Sequence, residues 1–112
     1  MTKPHKLAPL HPGEVLLEEF LPPLGLSQNA LARELKIPPR RVNEIVLGKR
    51  GVSADPALRL ARYLGTSAEF WLGLQTDYEL DLARDKAEAD IRREVKAGPW
   101  VTRTTVDSTA HA

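Results

Sequence analysis

The segment from residue 27 to residue 50, SQNALARELKIPPRRVNEIVLGKR, constrains the fold more than any other part of the chain. Ser27 can cap a helix by accepting hydrogen bonds from the backbone N–H groups that follow it. An apolar face with helical spacing comes next and consists of Leu31, Ala32 and Leu35. Neither Pro38 nor Pro39 can lie inside that helix, although one of them can occupy the first turn of a new helix. The pattern therefore predicts two short helices with a break between residues 36 and 38.

The second predicted helix extends from Arg40 to Leu47, and Gly48 follows it in the position of a left-handed terminator. Its core side consists of Val42, Ile45 and Val46. Ala32 of the first helix is small enough to lie where the two helix axes cross, whereas a larger side chain would push the second helix away. Two helices joined by such a tight turn form a helix-turn-helix unit.

The outward positions of the second predicted helix carry side chains that match the edges of DNA bases. These positions are Arg40, Arg41, Asn43 and Glu44. Arginine fits the O6 and N7 acceptors of guanine, asparagine fits N6 and N7 of adenine, and a carboxylate can accept from N4 of cytosine. Phosphate contacts are expected from Gln28, which precedes them, and from Lys49 and Arg50, which follow them. Such contacts set the register of the protein on the DNA. The segment therefore predicts sequence-specific binding in the major groove of double-stranded DNA.

The charge of the chain is informative only when it is taken locally, because the formal net charge of the whole chain is +1. Between residues 33 and 50, six basic residues and two acidic residues give a local charge of +4. Between residues 77 and 96, five basic and seven acidic residues give −2. This polarity indicates a basic end that suits DNA. Two alternatives remain: the charges form an ordinary solvated helix face, or Arg41 pairs with Glu44 at i+3 on its own helix.

Helical patterns are also present outside the central segment, and they predict an all-α fold. The further predicted helices span residues 12–21, 66–74 and 77–96, and one more has Pro56 in its first turn and ends before Gly65. Either Ser53 or Asp55 can cap that helix. We expect Pro22 and Pro23 to end the first of them, and Thr66 with Glu69 to form a capping box. The last helix carries a thin apolar stripe, which favours contact with a second copy of the chain; packing within its own domain is the alternative. The predicted architecture is a five-helix, repressor-like helix-turn-helix bundle plus a longer C-terminal helix.

Length and composition limit the class of protein. A chain of 112 residues with 42% hydrophobic residues is a single small domain. We divide it into an N-terminal arm (1–10), a helix-turn-helix DNA-binding domain with a C-terminal dimerisation helix (11–96) and a flexible tail (97–112). No apolar run approaches the roughly 20 residues that span a bilayer, and the N-terminus lacks the apolar core of a secretory signal. We therefore expect a cytoplasmic protein with no membrane contact.

Enzymatic activity is not expected. The chain has no cysteine, which excludes disulfides and thiolate chemistry. Its three histidines, His5, His11 and His111, have no paired i, i+4 spacing of metal ligands. There is also no glycine-rich loop for phosphate. We therefore predict neither catalytic residues nor a metal, and no cofactor.

Three stretches of the chain resemble the HigA-type antitoxins of bacterial toxin–antitoxin modules, which belong to the XRE class of Cro and phage-repressor helix-turn-helix proteins. They are HPGEVLLEEFLPPLGLSQ at 11–28, RRVNEIVLGKRGVSADPALRLARYLGTS at 40–67 and EFWLGLQTDYEL at 69–80. The combination is more specific than a helix-turn-helix pattern alone.

The resemblance implies an antitoxin that represses its own operon by binding a palindromic operator and that neutralises a HigB-type toxin, a RelE-related endoribonuclease, by binding it. We expect a homodimer, because a two-fold pair places two recognition helices about 34 Å apart on an inverted repeat. The resemblance adds Pro39 to the recognition face and leaves the toxin-binding residues unknown. The candidate DNA-binding residues are Gln28, Asn29, Pro39, Arg40, Arg41, Asn43, Glu44, Lys49 and Arg50.

The chain departs from the broader repressor class at Lys36, where that class usually has the turn glycine. Because a non-glycine residue adopts positive φ only at an energetic cost, we expect a turn of different shape. Two other functions stay open. One is a stand-alone helix-turn-helix transcriptional regulator without a toxin partner, and the other is a protein-interaction module whose helix-turn-helix no longer binds DNA.

Overall fold

A computed structural model describes residues 9–101, and these residues form helices and connecting segments with no β-strand. The elements are α1 (Pro12–Val15), a π-helical turn (Leu16–Phe20), α2 (Leu21–Leu24), α3 (Gln28–Leu35), α4 (Pro39–Val46), α5 (Ala54–Leu64) and α6 (Ala68–Glu94). The predicted all-α class and the long C-terminal helix are confirmed. His5, His111 and most of the predicted arm and tail lie outside the described residues.

The first helical segment continues past the point where we predicted its end. Pro22 and Pro23 lie within α2, in its first turn, where the missing N–H of proline is not needed. The π-helical turn comes directly before them, and there the N–H of Leu21 donates to the carbonyl oxygen of Leu16, five residues back. The segment ends instead at Gly25, which has the left-handed conformation with φ of 65°. The prediction was wrong because it treated proline as a helix stop even where a new first turn could begin.

The described residues from 9 to 82 form one compact unit, whose core includes residues from every helix between the π-helical turn and α6. Ala32 is completely buried, as expected for the point where α3 and α4 cross. Trp71 of α6 is also completely buried, and its indole Nε1 donates to the hydroxyl of Thr66 at 2.7 Å. The buried apolar residues are Leu16, Leu21, Leu31, Ala32, Leu35, Ile37, Val42, Ile45, Val52, Ala57, Leu60 and Trp71.

The last two predicted helices are a single helix, α6. Neither glycine nor proline occurs between Leu74 and Asp77, so nothing in the local sequence ends the helix there. The predicted capping box is also wrong. Ser67 caps α6 by accepting from the N–H of Phe70 at 3.0 Å, while the hydroxyl of Thr66 is bound to the indole of Trp71.

Residues from Ala83 onward form a second compact unit, of which the structure describes the end of α6 and the segment as far as Val101. Every residue in this part is exposed or half-buried. Its ion pairs are local to the helix and join Arg92 to Glu88 and Arg93 to Asp90. Beyond the helix, the N–H of Val101 donates to the carbonyl oxygen of Gly98 at 3.0 Å and closes a turn.

Candidate nucleic-acid interface

The turn between α3 and α4 has the left-handed residue that a helix-turn-helix requires, although that residue is lysine. Lys36 adopts φ of 61° and ψ of 40°, and the N–H of Ile37 donates to the carbonyl oxygen of Ala32 at 3.1 Å. The expectation of a differently shaped turn was therefore wrong. A left-handed non-glycine residue costs about 1 kcal/mol or more, and buried neighbours such as Ile37 hold the turn in place.

The predicted cap of α3 is confirmed, since the hydroxyl of Ser27 accepts from the N–H of Ala30 at 3.0 Å. At the start of α4, Pro38 is the N-cap residue and Pro39 occupies the first helical position. The two prolines therefore begin α4 at the place where the sequence predicted a break.

α1 packs closely against the C-terminal part of α4. A Cβ atom added to Gly13 would lie 1.8 Å from the carbonyl oxygen of Ile45, so only glycine permits this approach. His11 caps α1, because its Nδ1 accepts from the N–H of Gly13 at 2.8 Å. Burial lowers the pKa of His11 from 6.5, although Glu14 acts in the opposite direction. His11 is thus the neutral acceptor that fixes the start of α1, and through Gly13 it contributes to the position of α4.

α4 exposes the polar side that the sequence predicted. Val42 and Ile45 are buried, whereas Arg40 and Asn43 are exposed, and the Arg40 side chain is 87% accessible. Pro39 is also exposed at the start of the helix. The buried residues fix the rotation of the helix, so its exposed residues are presented from a rigid base.

Two predicted residues from different helices are brought together. The side-chain oxygen of Gln28, at the start of α3, accepts from the Nδ2 of Asn43 on α4 at 3.2 Å. Asn29 is exposed beside Gln28. The hydrogen bond orients the amide of Asn43, because its Nδ2 is held by Gln28 while its oxygen is not used in this contact.

Glu44 has a different environment from the one that the sequence predicted. Its carboxylate forms ion pairs with Arg50 at 2.9 Å and with Arg40 at 3.4 Å. The hydrogen bond from Arg50 is the main cause that lowers the pKa of Glu44, and the charges of both arginines act in the same direction. Glu44 is therefore an ionised group that neutralises part of the basic surface.

The suggested i+3 pair of Arg41 with Glu44 is not formed. Within residues 9–101, Arg41 makes no ion pair, because the carboxylate of Glu44 is taken by Arg40 and Arg50. A shallow groove next to α4 is lined by Pro38, Arg40, Arg41, Glu44 and Arg50.

Lys49 and Arg50 follow the end of α4 and are exposed, as expected for residues that contact phosphate. The carbonyl oxygen of Glu44 accepts from the N–H groups of both residues, at 2.8 Å and 3.2 Å. Gly48 adopts φ of 76°, which confirms the predicted left-handed terminator. The backbone therefore turns sharply at this point and keeps both basic residues next to α4.

Sequence reasoning missed Gln75, a buried residue of α6 that supports this turn. Its side-chain oxygen accepts from the N–H of Val52 at 2.8 Å, and its Nε2 donates to Glu79 at 2.8 Å. A Cβ atom on Gly51 would lie 2.8 Å from the Gln75 side chain, so the two are in close contact. One feature of the sequence could have indicated its role: Gln75 follows Trp71 by four residues on the same helix, which places both side chains on the face toward the core.

Neither clustered metal ligands nor a helix that could cross a membrane is found among the described residues. Among residues 9–101, no three or more histidine, cysteine, aspartate or glutamate side chains are grouped so that they could hold a metal ion. In the same residues, no helix combines the length and the apolar character needed to cross a membrane.

Comparisons with known proteins agree with this geometry. Residues 17–71 match the family model described as helix-turn-helix. Virulence-associated protein I of Dichelobacter nodosus is 50% identical over 88 residues, which cover 78% of this chain and 82% of that protein. The structure of an addiction module antidote protein of the HigA family from Coxiella burnetii superposes with a TM-score of 0.78 at 44% identity, covering 82% of this chain and 100% of that one.

A third similar protein was solved with DNA. Pseudomonas aeruginosa antitoxin HigA with the higBA promoter superposes with a TM-score of 0.77 at 46% identity, covering 83% of this chain and 99% of that one. The fold and the exposed side of α4 thus define a helix-turn-helix DNA-binding protein. Within that class, the chain belongs to the HigA family of antitoxins. This family consists of DNA-binding regulators and not of enzymes, as the sequence predicted.

Proposed function

We propose that this protein is an antitoxin that represses its own operon by binding a palindromic operator and that neutralises a HigB-type, RelE-related endoribonuclease by binding it. The observation that carries the DNA-binding part is the orientation of α4. Val42 and Ile45 lock the helix into the core while Arg40 and Asn43 stay exposed. The HigA protein of Pseudomonas aeruginosa, with a similar fold, was solved with promoter DNA.

In this proposal, α4 enters the major groove. Arg40 binds a guanine edge and Asn43, oriented by Gln28, binds an adenine edge. Pro39 and Arg41 lie beside them, and Asn29, Lys49 and Arg50 contact the flanking phosphates. Base contacts determine the sequence preference, whereas phosphate contacts contribute salt-dependent affinity to every sequence.

A DNA titration tests the role of Arg40. The operator is first located by footprinting on the promoter upstream of the protein's own gene, and a scrambled duplex serves as non-specific DNA. Arg40→Ala should weaken operator binding by about 1 to 3 kcal/mol and weaken scrambled DNA much less. Arg62→Ala, which removes the same charge from α5, is the matched control. Equal losses on both duplexes for Arg40→Ala would refute base recognition by Arg40.

The toxin-binding part of the proposal is supported by membership of the HigA family and has its own test. The small reading frame next to the gene is induced alone and then together with this protein, and the pair is co-purified. Growth arrest by the neighbour, rescue by this protein and co-purification are the expected results. A harmless neighbour, together with intact operator binding, would contradict the toxin part and identify a stand-alone transcriptional regulator.

We further propose that the protein works in the cytoplasm as a homodimer. The dimer contact in this proposal is the second part of α6, residues 83–94. The exposed apolar side chains of Ile91, and of Val95 just past the end of α6, support this contact. In this arrangement residues 11–96 act as the DNA-binding domain with its dimerisation helix, between the N-terminal arm and the tail. One domain alone would contact only one half of a palindrome, so dimerisation provides the needed specificity.

A further inference from the structure

Glu44 connects two arginines that reach the proposed DNA surface from different places. Arg40 lies in the first turn of α4, whereas Arg50 lies beyond its end. Each arginine uses its Nε atom in the ion pair, with Arg50 on one carboxylate oxygen and Arg40 on the other. The terminal Nη atoms of both guanidinium groups are not used in these contacts.

The position of Glu44 does not suit a residue that reaches for a base. Its side chain is 25% accessible, against 87% for Arg40 and 49% for Arg50. Glu44 is thus the least accessible of the three side chains, and both of its carboxylate oxygens already have partners. A carboxylate that accepts from cytosine has to extend outward from the helix into the groove.

We infer that Glu44 is a positioning residue, which holds Arg40 and Arg50 for their DNA contacts and weakens the binding of non-specific DNA. The inference rests on the proposed function, since it concerns how that same surface selects its DNA. It replaces the expectation that Glu44 contacts cytosine.

The physical reason is a difference between phosphates and base edges. A phosphate is a negative charge that competes with Glu44 for the guanidinium groups and is repelled by the carboxylate. Guanine presents two neutral acceptors, which can bind the free Nη atoms of Arg40 while its Nε remains with Glu44. Glu44 therefore weakens phosphate binding more than guanine binding, and this difference increases discrimination between sequences.

The test compares Glu44→Gln with Glu34→Gln, which removes the same charge from α3. Glu34 is exposed and makes no ion pair within residues 9–101. Both variants and the wild type are titrated with the footprinted operator and with the scrambled duplex at several salt concentrations. We expect Glu44→Gln to bind the scrambled duplex about three- to tenfold more tightly than Glu34→Gln does, without a matching gain on the operator. Equal ratios of operator to scrambled affinity in the two variants would overturn the inference.

A series of operators with single base-pair changes separates positioning from direct contact with cytosine. If Glu44 positions Arg40, Glu44→Gln relaxes the preference at the base pairs that Arg40→Ala also relaxes. The double variant then loses no more operator discrimination than Arg40→Ala alone. Relaxation at a C·G pair that Arg40→Ala leaves intact would instead identify Glu44 as a base-contacting residue and refute its positioning role.

Two further readouts keep this inference separate from the proposed function. If the wild type prefers no sequence, the proposed repressor function fails, and the Glu44 inference is decided on the scrambled duplex alone. In the protein without DNA, the NMR signal of the Arg50 Nε–H should shift in Glu44→Gln and stay in place in Glu34→Gln. An unchanged signal in Glu44→Gln would show that the ion pair does not position Arg50.

Discussion

The two tryptophans of this protein lie in its two compact units and have opposite environments. Trp71, in the unit that extends to Leu82, is completely buried and hydrogen-bonded, whereas Trp100, in the unit that begins at Ala83, is 81% exposed. The first unit is held by contacts between residues far apart in sequence, such as Gln75 with Val52. The described part of the second unit has only local hydrogen bonds and ion pairs. The first unit therefore supplies the packing that a surface of fixed geometry needs, whereas a helix held only by local contacts is marginal by itself.

The largest expected effect tests this contrast directly. Trp71→Ala should destabilise the fold by about 3 to 5 kcal/mol, because it leaves a cavity in the core and the hydroxyl of Thr66 without its donor. Trp100→Ala is the control and should leave the unfolding free energy within about 0.5 kcal/mol of wild type. Urea unfolding followed by circular dichroism measures both. Similar losses for the two variants would show that Trp100 is part of a core.

The next effect concerns the second part of α6. If this helix forms the dimer contact, Ile91→Asp should weaken dimerisation by at least about tenfold, since it places a charge in an apolar interface. Ala89 lies two residues earlier, on nearly the opposite side of the helix, so Ala89→Asp is the matched control. Sedimentation equilibrium measures the dissociation constants. A dimer that survives Ile91→Asp unchanged would place the contact elsewhere.

A smaller effect is expected at His11, in the first unit. Its pKa lies below 6.5 in the folded protein because of burial, so the unfolded chain binds a proton more readily. The stability that His11 contributes is complete above pH 6.5 and is lost as the pH falls through the lowered pKa. Protonation of Nδ1 also removes the cap of α1, which is worth about 1 kcal/mol.

His11→Asn is the informative variant for this prediction, because asparagine can cap a helix and does not titrate. Unfolding free energies of wild type and variant, measured from neutral pH to about pH 5, should diverge as the wild type loses stability. The remaining histidines and carboxylates are common to both proteins and cancel in the difference. Parallel curves would exclude a contribution from His11.

The smallest effect is expected at the turn between α3 and α4. Lys36→Gly should stabilise the fold by up to about 1 kcal/mol, because glycine adopts the left-handed conformation without strain. Lys36→Ala removes the same charge but keeps the strain, so it should give no such gain. Thermal unfolding measures the three proteins. If Lys36→Ala is as stable as Lys36→Gly, the lysine charge and not the backbone conformation limits the stability of this turn.

Much of the helix-turn-helix could be predicted because its signals are local. Ser27 caps α3, and Pro38 and Pro39 begin α4. Gly48 adopts the left-handed conformation just after the end of α4, and the apolar spacing buries Val42 and Ile45. The errors arose where several local solutions were possible. The run at Pro22 and Pro23 could end a helix or begin one, and Thr66 and Ser67 could each cap α6. In the second case the indole of Trp71 decides, since it binds Thr66 and leaves the cap to Ser67.

The sequence by itself determined the all-α class, the helix-turn-helix and the set of polar residues on α4, because helix periodicity, caps and turn residues act over a few positions. Tertiary structure alone decided the partners of those polar residues. Asn43 is bound by Gln28 from α3, and Glu44 is shared by Arg40 and by Arg50 beyond the helix end. Tertiary packing also places Gly13 and His11 where they help to position α4. In the same way it places Gln75 where its side chain binds Val52, in the segment that follows α4. These contacts depend on distances between helices, which are set only when the whole core packs.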